Sequence, residues 1–200
     1  QPESGTNVGP ANISERILRE VFFPPFQAAV AANAQAVMAS YNEIDGVPSH
    51  VNRWLLQDIL RDEMQFKGAV ISDYFAIKEL IDVHQTTTDP LRAAVRALKA
   101  GVDADLPDGE SFALLPKALE QGLVTQAEID QATARMLRLK FLAGLFEQPY
   151  ADVKYAESIT DNAEARALAL EAARKSVVLL KNDGVLPLRR ANIKTLAVIG

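Results

Sequence analysis

Three short apolar runs, each ending in polar residues, set the hydrophobic pattern of this chain. They cover residues 36–41 (AVMASY), 69–75 (AVISDYF) and 102–107 (VDADLP). Their polar ends lie near Tyr41, Asp73 and Asp105, 32 residues apart in each case. Such runs predict short buried strands, and a segment of helix length fills each gap. Repeated strand–helix units at this spacing predict parallel strands joined by right-handed crossovers, which is an α/β fold.

The segments between the strands carry the start and stop signals of helices. Asn52 is expected to cap a helix with one apolar face, and Gly68 is expected to stop it. Asp89 and Pro90 predict a second helix start, with Gly101 at its end. Half of a barrel and part of an open, doubly wound sheet both fit these units, and the pattern leaves that choice open.

The last part of the chain changes in character. A capping box at Thr125 predicts a long helix that ends near residue 144. Residues 145–160 contain a proline, two tyrosines and mixed charge, and we interpret them as a linker. Residues 161–200 predict an alanine-rich helix and then a buried strand at 195–200, which would begin a second α/β sheet.

Composition mainly excludes classes of partner. Apolar residues make up 48% and charged residues 24%, as in ordinary soluble globular proteins. The formal net charge is −5 without a basic cluster, so nucleic acid is not expected as a partner, and no apolar run is long enough to span a membrane. There is no cysteine, and His50 and His84 are the only histidines, so a thiolate or histidine metal site is not expected. Because the chain opens on Gln1 in a loop-like stretch, we expect it to be an excerpt of a longer protein.

Asp73 is the first candidate for chemistry. In barrels of alternating strands and helices, catalytic residues lie at the C-terminal ends of strands. Asp73 follows a predicted strand directly, so its carboxylate is a candidate catalytic group. The alternative is that Asp73 caps the following helix through Ala76 and Ile77, and the strand-end position alone leaves both interpretations open.

Other polar residues near the strand ends favour structural roles. Asp103 and Asp105 could supply a partner carboxylate for Asp73, but hydrogen bonding at the sheet edge is the favoured interpretation. His50 and His84 have no partners at ligand spacing, and we interpret each as a histidine of a loop or helix end.

Six blocks of the sequence, in order, carry a family resemblance. They include VMASYNEIDGVP, AGVDADLP and ARKSVVLLKNDGVLPL, and together they cover residues 14–26, 37–48, 55–74, 100–107, 137–150 and 173–188. These blocks resemble glycoside hydrolase family three, which comprises β-glucosidases, β-xylosidases and related exo-acting enzymes. The resemblance implies a TIM-like (β/α) barrel followed by an α/β sandwich. Residues 1–144 would be the later part of the barrel catalytic domain, 145–160 the linker and 161–200 the start of the sandwich domain.

The resemblance also implies roles for individual residues. Asp73 lies in the family's SDW/SDY motif and would be the nucleophile of a retaining hydrolysis. Tyr41 and Met38 fall where the family lines its first sugar subsite, although a core role is the alternative for each. Tyr74 falls where many members carry a tryptophan, and either stacks on a sugar or packs. The family's Lys-His pair would lie upstream of the chain, and its acid/base glutamate would lie beyond Gly200.

The expected function is that of a retaining exo-acting β-glycosidase that removes terminal β-D-glucosyl or β-D-xylosyl residues through a glycosyl-aspartate intermediate. The resemblance implies no cofactor and no metal, and it favours a periplasmic or extracellular location. Its expected partner is an oligosaccharide or β-glycoside substrate, and a homodimer is one assembly that the sequence leaves open. A non-catalytic carbohydrate-binding or structural fragment is the alternative, because the acid/base is not in this chain. A phosphate-binding barrel fits poorly, since residues 107–109 do not form a glycine-rich loop.

Overall fold

The computed structural model describes residues 3–197 and 199, and it divides the chain into two units, Gln1–Pro149 and Tyr150–Gly200. The strands are β1 (Ala36–Met38), β2 (Glu43–Ile44), β3 (Val47–Pro48), β4 (Ala69–Tyr74) and β5 (Ala104–Leu106). The α-helices are α1 (Glu15–Ile17), α2 (Phe23–Ala31), α3 (Ala76–Asp82), α4 (Pro90–Ala100), α5 (Leu115–Glu120), α6 (Gln126–Leu142), α7 (Val153–Ile159) and α8 (Ala163–Ser176). Two π-helices span Leu18–Phe22 and Trp54–Glu63, and 3₁₀ turns span Glu3–Gly5, Ser49–Val51, Phe112–Leu114 and Arg190–Asn192.

The three predicted strands form one parallel sheet in the order β1-β4-β5. Met38 of β1 is paired with Ile71 of β4, and Ile71 is paired with Ala104 of β5. The pairing of β4 with β5 becomes irregular between Ile71 and Tyr74. The prediction of an α/β fold with parallel strands is therefore confirmed, and β4 is the middle strand of this sheet.

Capping side chains begin the helices where the sequence predicts. Asn52 Oδ1 accepts a hydrogen bond from the Leu55 amide at 3.0 Å, and Asp89 Oδ1 accepts one from the Leu91 amide at 2.9 Å. Helix α4 ends at Gly101, whose φ of 116° is a left-handed conformation that favours glycine. These local signals suffice because a cap satisfies backbone amides of its own first turn.

The main core lies between the sheet and helices α3 and α4. Val70 of β4, Ile77 and Leu80 of α3, and Val102 are all fully buried there. Burial of one aliphatic side chain contributes about 1.5–3 kcal/mol. This packing fixes α3 directly behind the strand that carries Asp73.

Gly68 does not stop the preceding helix, contrary to the prediction. The π-helix ends when the Met64 amide donates to the Ile59 carbonyl, and Gln65 follows with a φ of 60°. Gly68 serves another purpose, because a Cβ at this position would lie 2.2 Å from the Gln35 carbonyl oxygen. The glycine is thus required for the close approach of the chain to Gln35, just before β4.

A buried charge network joins the entries of β4 and β5. Asp103 accepts hydrogen bonds from Arg61 Nη2 at 2.7 Å, from Arg135 Nη1 at 2.8 Å and from the Val70 amide at 2.8 Å. Arg61 Nη1 also donates to the Gly68 carbonyl at 3.0 Å. Asp103 is therefore a structural carboxylate that holds neighbouring segments together.

The second unit contains helices α7 and α8 and the 3₁₀ turn Arg190–Asn192. The predicted alanine-rich helix is α8, and Asn162 caps it by accepting from the Ala165 amide at 2.8 Å. Helix α7 lies within the residues that the sequence predicts to be a linker. The predicted strand at 195–200 is not formed over residues 195–197, and positions 198 and 200 lie outside the described residues.

Candidate active site

A tight hairpin after β1 returns the chain towards the end of the sheet. Strands β2 and β3 are antiparallel, and the two residues between them, Asp45 and Gly46, have φ values of 49° and 79°. Positive φ at both positions is typical of a type I′ turn, for which Asp-Gly is a favoured sequence. The 3₁₀ turn Ser49–Val51 follows, and Ser49 Oγ donates to the Asn42 carbonyl at 2.7 Å. The hairpin thus places the segment with His50 against the exit of β1.

Asp73 lies near the end of β4 and takes part in two hydrogen bonds. Its Oδ1 accepts a hydrogen bond from the Tyr74 amide at 2.7 Å, and its own amide donates to His50 Nε2 at 3.2 Å. Helix α3 is preceded by Phe75, which has a φ of 59° and no capping side-chain bond. The alternative interpretation, in which Asp73 caps α3 through Ala76 and Ile77, is therefore wrong.

His50 is a neutral, buried histidine. Only 2% of its surface is exposed, and burial lowers its pKa to about 4, although the Asp73 carboxylate raises it and His84 lowers it further. Because Nε2 accepts the Asp73 amide hydrogen, we assign the ring proton to Nδ1. The sequence interpretation of His50 as a histidine of a loop or helix end missed this contact.

Tyr41 lies beside Asp73 at the end of the neighbouring strand. Its hydroxyl donates to the Tyr74 carbonyl at 2.8 Å. Burial raises the pKa of Tyr41, and the nearby Asp73 carboxylate raises it further. The hydroxyl therefore keeps its proton at neutral pH and remains a hydrogen-bond donor next to a carboxylate.

His84 and Glu79 are two polar residues near the Tyr41 backbone. His84 Nε2 lies 2.8 Å from the Tyr41 carbonyl and must donate to it, while Nδ1 lies 3.9 Å from Glu43 Oε2. Burial raises the pKa of Glu79, and the Asp73 carboxylate also raises it, whereas His84 lowers it. Among the described residues, Glu79 Oε2 is buried without a hydrogen-bond partner. Sequence reasoning interpreted His84 as a histidine of a loop or helix end and did not single out Glu79.

The family resemblance gives roles to four residues of this chain, and the structure brings three of them together. Asp73, Tyr41 and Tyr74 are linked by the hydrogen bonds given above. Tyr74 is exposed, and its ring lies edge-on to that of Phe75 at 6.4 Å between centroids. Met38 instead lines an apolar hollow whose walls, among the described residues, include Phe22, Phe26, Val37 and Leu55 but not Asp73.

Asp105 is also structural, as the sequence favours. Its Oδ2 accepts hydrogen bonds from the Ser111 amide at 2.8 Å and the Phe112 amide at 3.1 Å. Hydrogen bonds of Asp105 and the charge network of Asp103 thus occupy both acidic residues of the run 102–107. Neither is placed as a partner carboxylate of Asp73.

Within residues 3–197 and 199, no group of three or more histidine, cysteine, aspartate or glutamate side chains could hold a metal ion. None of the helices described there is long and apolar enough to cross a membrane.

Comparisons with known proteins agree with one another. Residues 1–139 match the family model described as "Glycosyl hydrolase family 3 N terminal domain". The chain is 42% identical over 204 residues to a periplasmic β-glucosidase of Salmonella typhimurium, and 43% identical over 207 residues to a β-xylosidase of Formosa agariphila. A solved structure of a β-glucosidase from Listeria innocua, in complex with glucose, has a TM-score of 0.83 and 37% sequence identity.

The matches cover almost all of this chain but a small part of each relative. They include 99% of the chain and 26% of the Salmonella protein, 98% and 28% for the Formosa protein, and 94% and 26% for the Listeria structure. The chain therefore spans about a quarter of the length of these relatives.

Proposed function

This chain belongs to glycosyl hydrolase family 3, and on that premise we propose that it contributes the nucleophile of a retaining, exo-acting β-glycosidase. The observation that supports this most is the position of Asp73. It lies one residue before the end of β4, the middle strand of the parallel sheet, and is held by the Tyr74 amide, with Tyr41 beside it. In the whole protein we assign residues 1–144 to the later part of a TIM-like barrel, 145–160 to a linker and 161–200 to the start of an α/β sandwich.

Hydrolysis with retention proceeds through two displacements at the anomeric carbon. In the first, Asp73 Oδ2, the oxygen that the Tyr74 amide does not hold, attacks C1 of the sugar. The bond from C1 to the leaving oxygen breaks, and a general acid protonates that oxygen. In the second, water attacks C1, releases Asp73 and gives its proton to the same acid/base group. The product is a free sugar with the β configuration of the substrate.

The neighbours of Asp73 have assigned roles in this scheme. Tyr41 remains protonated, so its hydroxyl can donate to Asp73 or to the ring oxygen of the sugar as charge develops. Tyr74 offers an exposed aromatic ring to the sugar. Met38 is assigned to a wall of the first sugar subsite, although in this structure it lines the apolar hollow.

The second carboxyl group is assigned to another part of the whole protein. Retaining glycosidases hold their two carboxyl groups about 5–5.5 Å apart. Asp103 and Asp105 are occupied by structural hydrogen bonds, and Glu79 is partly buried, which raises its pKa. Following the family resemblance, we propose that the acid/base comes from a part of the whole protein outside this chain.

The substrate class follows from the relatives. Those named above are β-glucosidases and a β-xylosidase, so we propose terminal β-D-glucosyl or β-D-xylosyl units as substrates. The Salmonella relative is named periplasmic, and we propose a periplasmic or extracellular location. A non-catalytic carbohydrate-binding fragment is not favoured, because the matched relatives are named as glycosidases.

The test is to replace Asp73 by alanine in the full-length enzyme. Hydrolysis of p-nitrophenyl β-glucoside and β-xyloside should fall by about 10⁴-fold or more, because a group that acts in the covalent step is lost. Added azide should restore turnover and give the α-glycosyl azide, which NMR identifies. The exposed Asp108→Ala serves as the matched control and should keep activity. Turnover near the wild-type rate in Asp73→Ala would rule out this assignment.

A further inference from the structure

The Asp73 amide of β4, on the side that faces β1, is bonded to a side chain instead of a strand. On the side of β1, the Ala39 amide donates to the Ile71 carbonyl at 3.0 Å, and β1 itself ends at Met38. Alternate residues of a strand face the same neighbour, so the next amide of β4 on this side belongs to Asp73. Among the described residues, its hydrogen bond goes to His50 Nε2 at 3.2 Å. An imidazole nitrogen therefore replaces the carbonyl that a longer β1 would have offered.

The turn that carries His50 is anchored beside the exit of β1 by hydrogen bonds of Ser49. The Ser49 hydroxyl donates to the Asn42 carbonyl and lies 3.1 Å from that of Ser40. The imidazole is uncharged over most of the pH range, since burial lowers its pKa to about 4. An uncharged acceptor satisfies the Asp73 amide without forming an ion pair that would weaken a carboxylate nucleophile.

We propose that His50 is a positioning residue for Asp73. By accepting the Asp73 amide hydrogen, it fixes the backbone from which the carboxylate projects and so the direction in which that carboxylate points. The catalytic consequence rests on the function proposed above, whereas the hydrogen bond does not. Misplacement of a reacting group by about 1 Å can cost about 10² in rate.

The first arm of the test measures the hydrogen bond without any substrate. In the full-length enzyme, His50→Leu removes the acceptor, whereas the side-chain oxygen of His50→Gln can still accept. Residue-resolved amide hydrogen exchange should show a slow Asp73 amide in the wild type and in His50→Gln, and a faster one in His50→Leu. Equal protection of the Asp73 amide in His50→Leu would overturn the proposal.

The second arm measures how well Asp73 is placed for reaction. An activated 2-deoxy-2-fluoro-β-glucoside accumulates the glycosyl-enzyme, and mass spectrometry locates the label. In His50→Leu, the maximal labelling rate constant at saturating probe should fall by about 10- to 100-fold, with little change in the half-saturating concentration. His50→Gln should recover most of this rate.

A stability control separates positioning from general loosening of the fold. Leu98 lies in a second core cluster, separate from the main core between the sheet and helices α3 and α4. Leu98→Ala should therefore lower the unfolding temperature, whereas the variant enzyme should be labelled at the wild-type rate. A His50→Leu enzyme that labels as fast as Leu98→Ala would overturn the proposal. A wild type that takes up no label would contradict the proposed function, and the exchange arm alone would then decide the role of His50.

Discussion

The two units of this chain begin their helices by the same rules but differ in how they cover their apolar side chains. Asp89 caps a helix in the first unit, and Asn162 caps one in the second. In the first unit Leu80 is fully buried, whereas in the second Leu168 is 67% exposed. Apart from Asn162, every described residue from Tyr150 onward is exposed. Local capping therefore specifies a helix in both units, but only the first one buries a core within the described residues.

Strands show the same difference more sharply. The hydrogen bonds of a helix are local, whereas those of a strand require a neighbour. The run at 36–38 forms β1 because β4 lies beside it in register. Residues 195–197 (TLA) begin the run that the sequence predicts as a strand, yet they form no strand in this structure.

The largest expected effect comes from breaking the buried charge network of the first unit. Asp103→Asn leaves Arg61 and Arg135 without their carboxylate, and removing one partner of a buried ion pair costs about 3–5 kcal/mol. The matched change in the second unit is Asp161→Asn, which breaks an exposed pair with Arg166 and should leave stability unchanged. Thermal unfolding of the full-length protein measures both, and equal losses would contradict this contrast.

A core truncation in each unit tests the difference in burial. Leu80→Ala should destabilise the protein by about 2–5 kcal/mol, because a fully buried side chain leaves a cavity. Leu168→Ala should change the unfolding temperature little, because this side chain is largely exposed. A comparable loss in Leu168→Ala would show that the whole protein covers this helix.

The buried histidine should make stability depend on pH. His50 titrates near pH 4 when folded and near 6.5 when unfolded, while Asp73 and His84 also act on it. The unfolded chain thus takes up the proton first, so this contribution is complete above pH 6.5 and is lost as pH falls towards 4. The loss is on the order of 3 kcal/mol at and below pH 4. Denaturant titrations at several pH values should show this slope in the wild type and not in His50→Gln.

The smallest expected effect is a gain in stability. Burial raises the pKa of Glu79, and the Asp73 carboxylate raises it further, so Glu79→Gln removes a carboxylate whose charge the folded protein disfavours. At neutral pH the variant should be more stable by up to about 1 kcal/mol, because an unpaired buried charge is relieved. The gain should disappear below pH 4.5, where the carboxyl is protonated in both states. A loss of stability at neutral pH would indicate that Glu79 makes a favourable contact with His84.

The sequence alone predicts the elements whose causes are local. The strand–helix spacing, the caps at Asn52 and Asp89 and the stop at Gly101 all follow from neighbouring residues, and the structure confirms them. The strand-end position also suffices to single out Asp73. These features depend on hydrophobic periodicity and on local backbone preferences, and both can be read from a single sequence.

The contacts that support Asp73 could not be predicted in this way. His50 lies 23 residues before it, and His84 contacts Tyr41 across 43 residues. No periodicity relates such positions, because a hairpin and a helix exit bring them together only after the sheet has formed. The same holds for Gly68, whose close contact with Gln35 depends on a neighbouring segment of chain.

That close contact has a practical meaning for engineering new specificities. Gly68 fixes the alignment of β4 five residues before Asp73, at the opposite end of the strand. Sequences grafted at the hairpin tip, Asp45 and Gly46, should therefore leave the carboxylate in place. A one-residue insertion between 68 and 73 would instead turn it to the other face of the sheet. Libraries that seek new sugar preferences should hold 66–73 constant and diversify only the exposed loops that follow the strands.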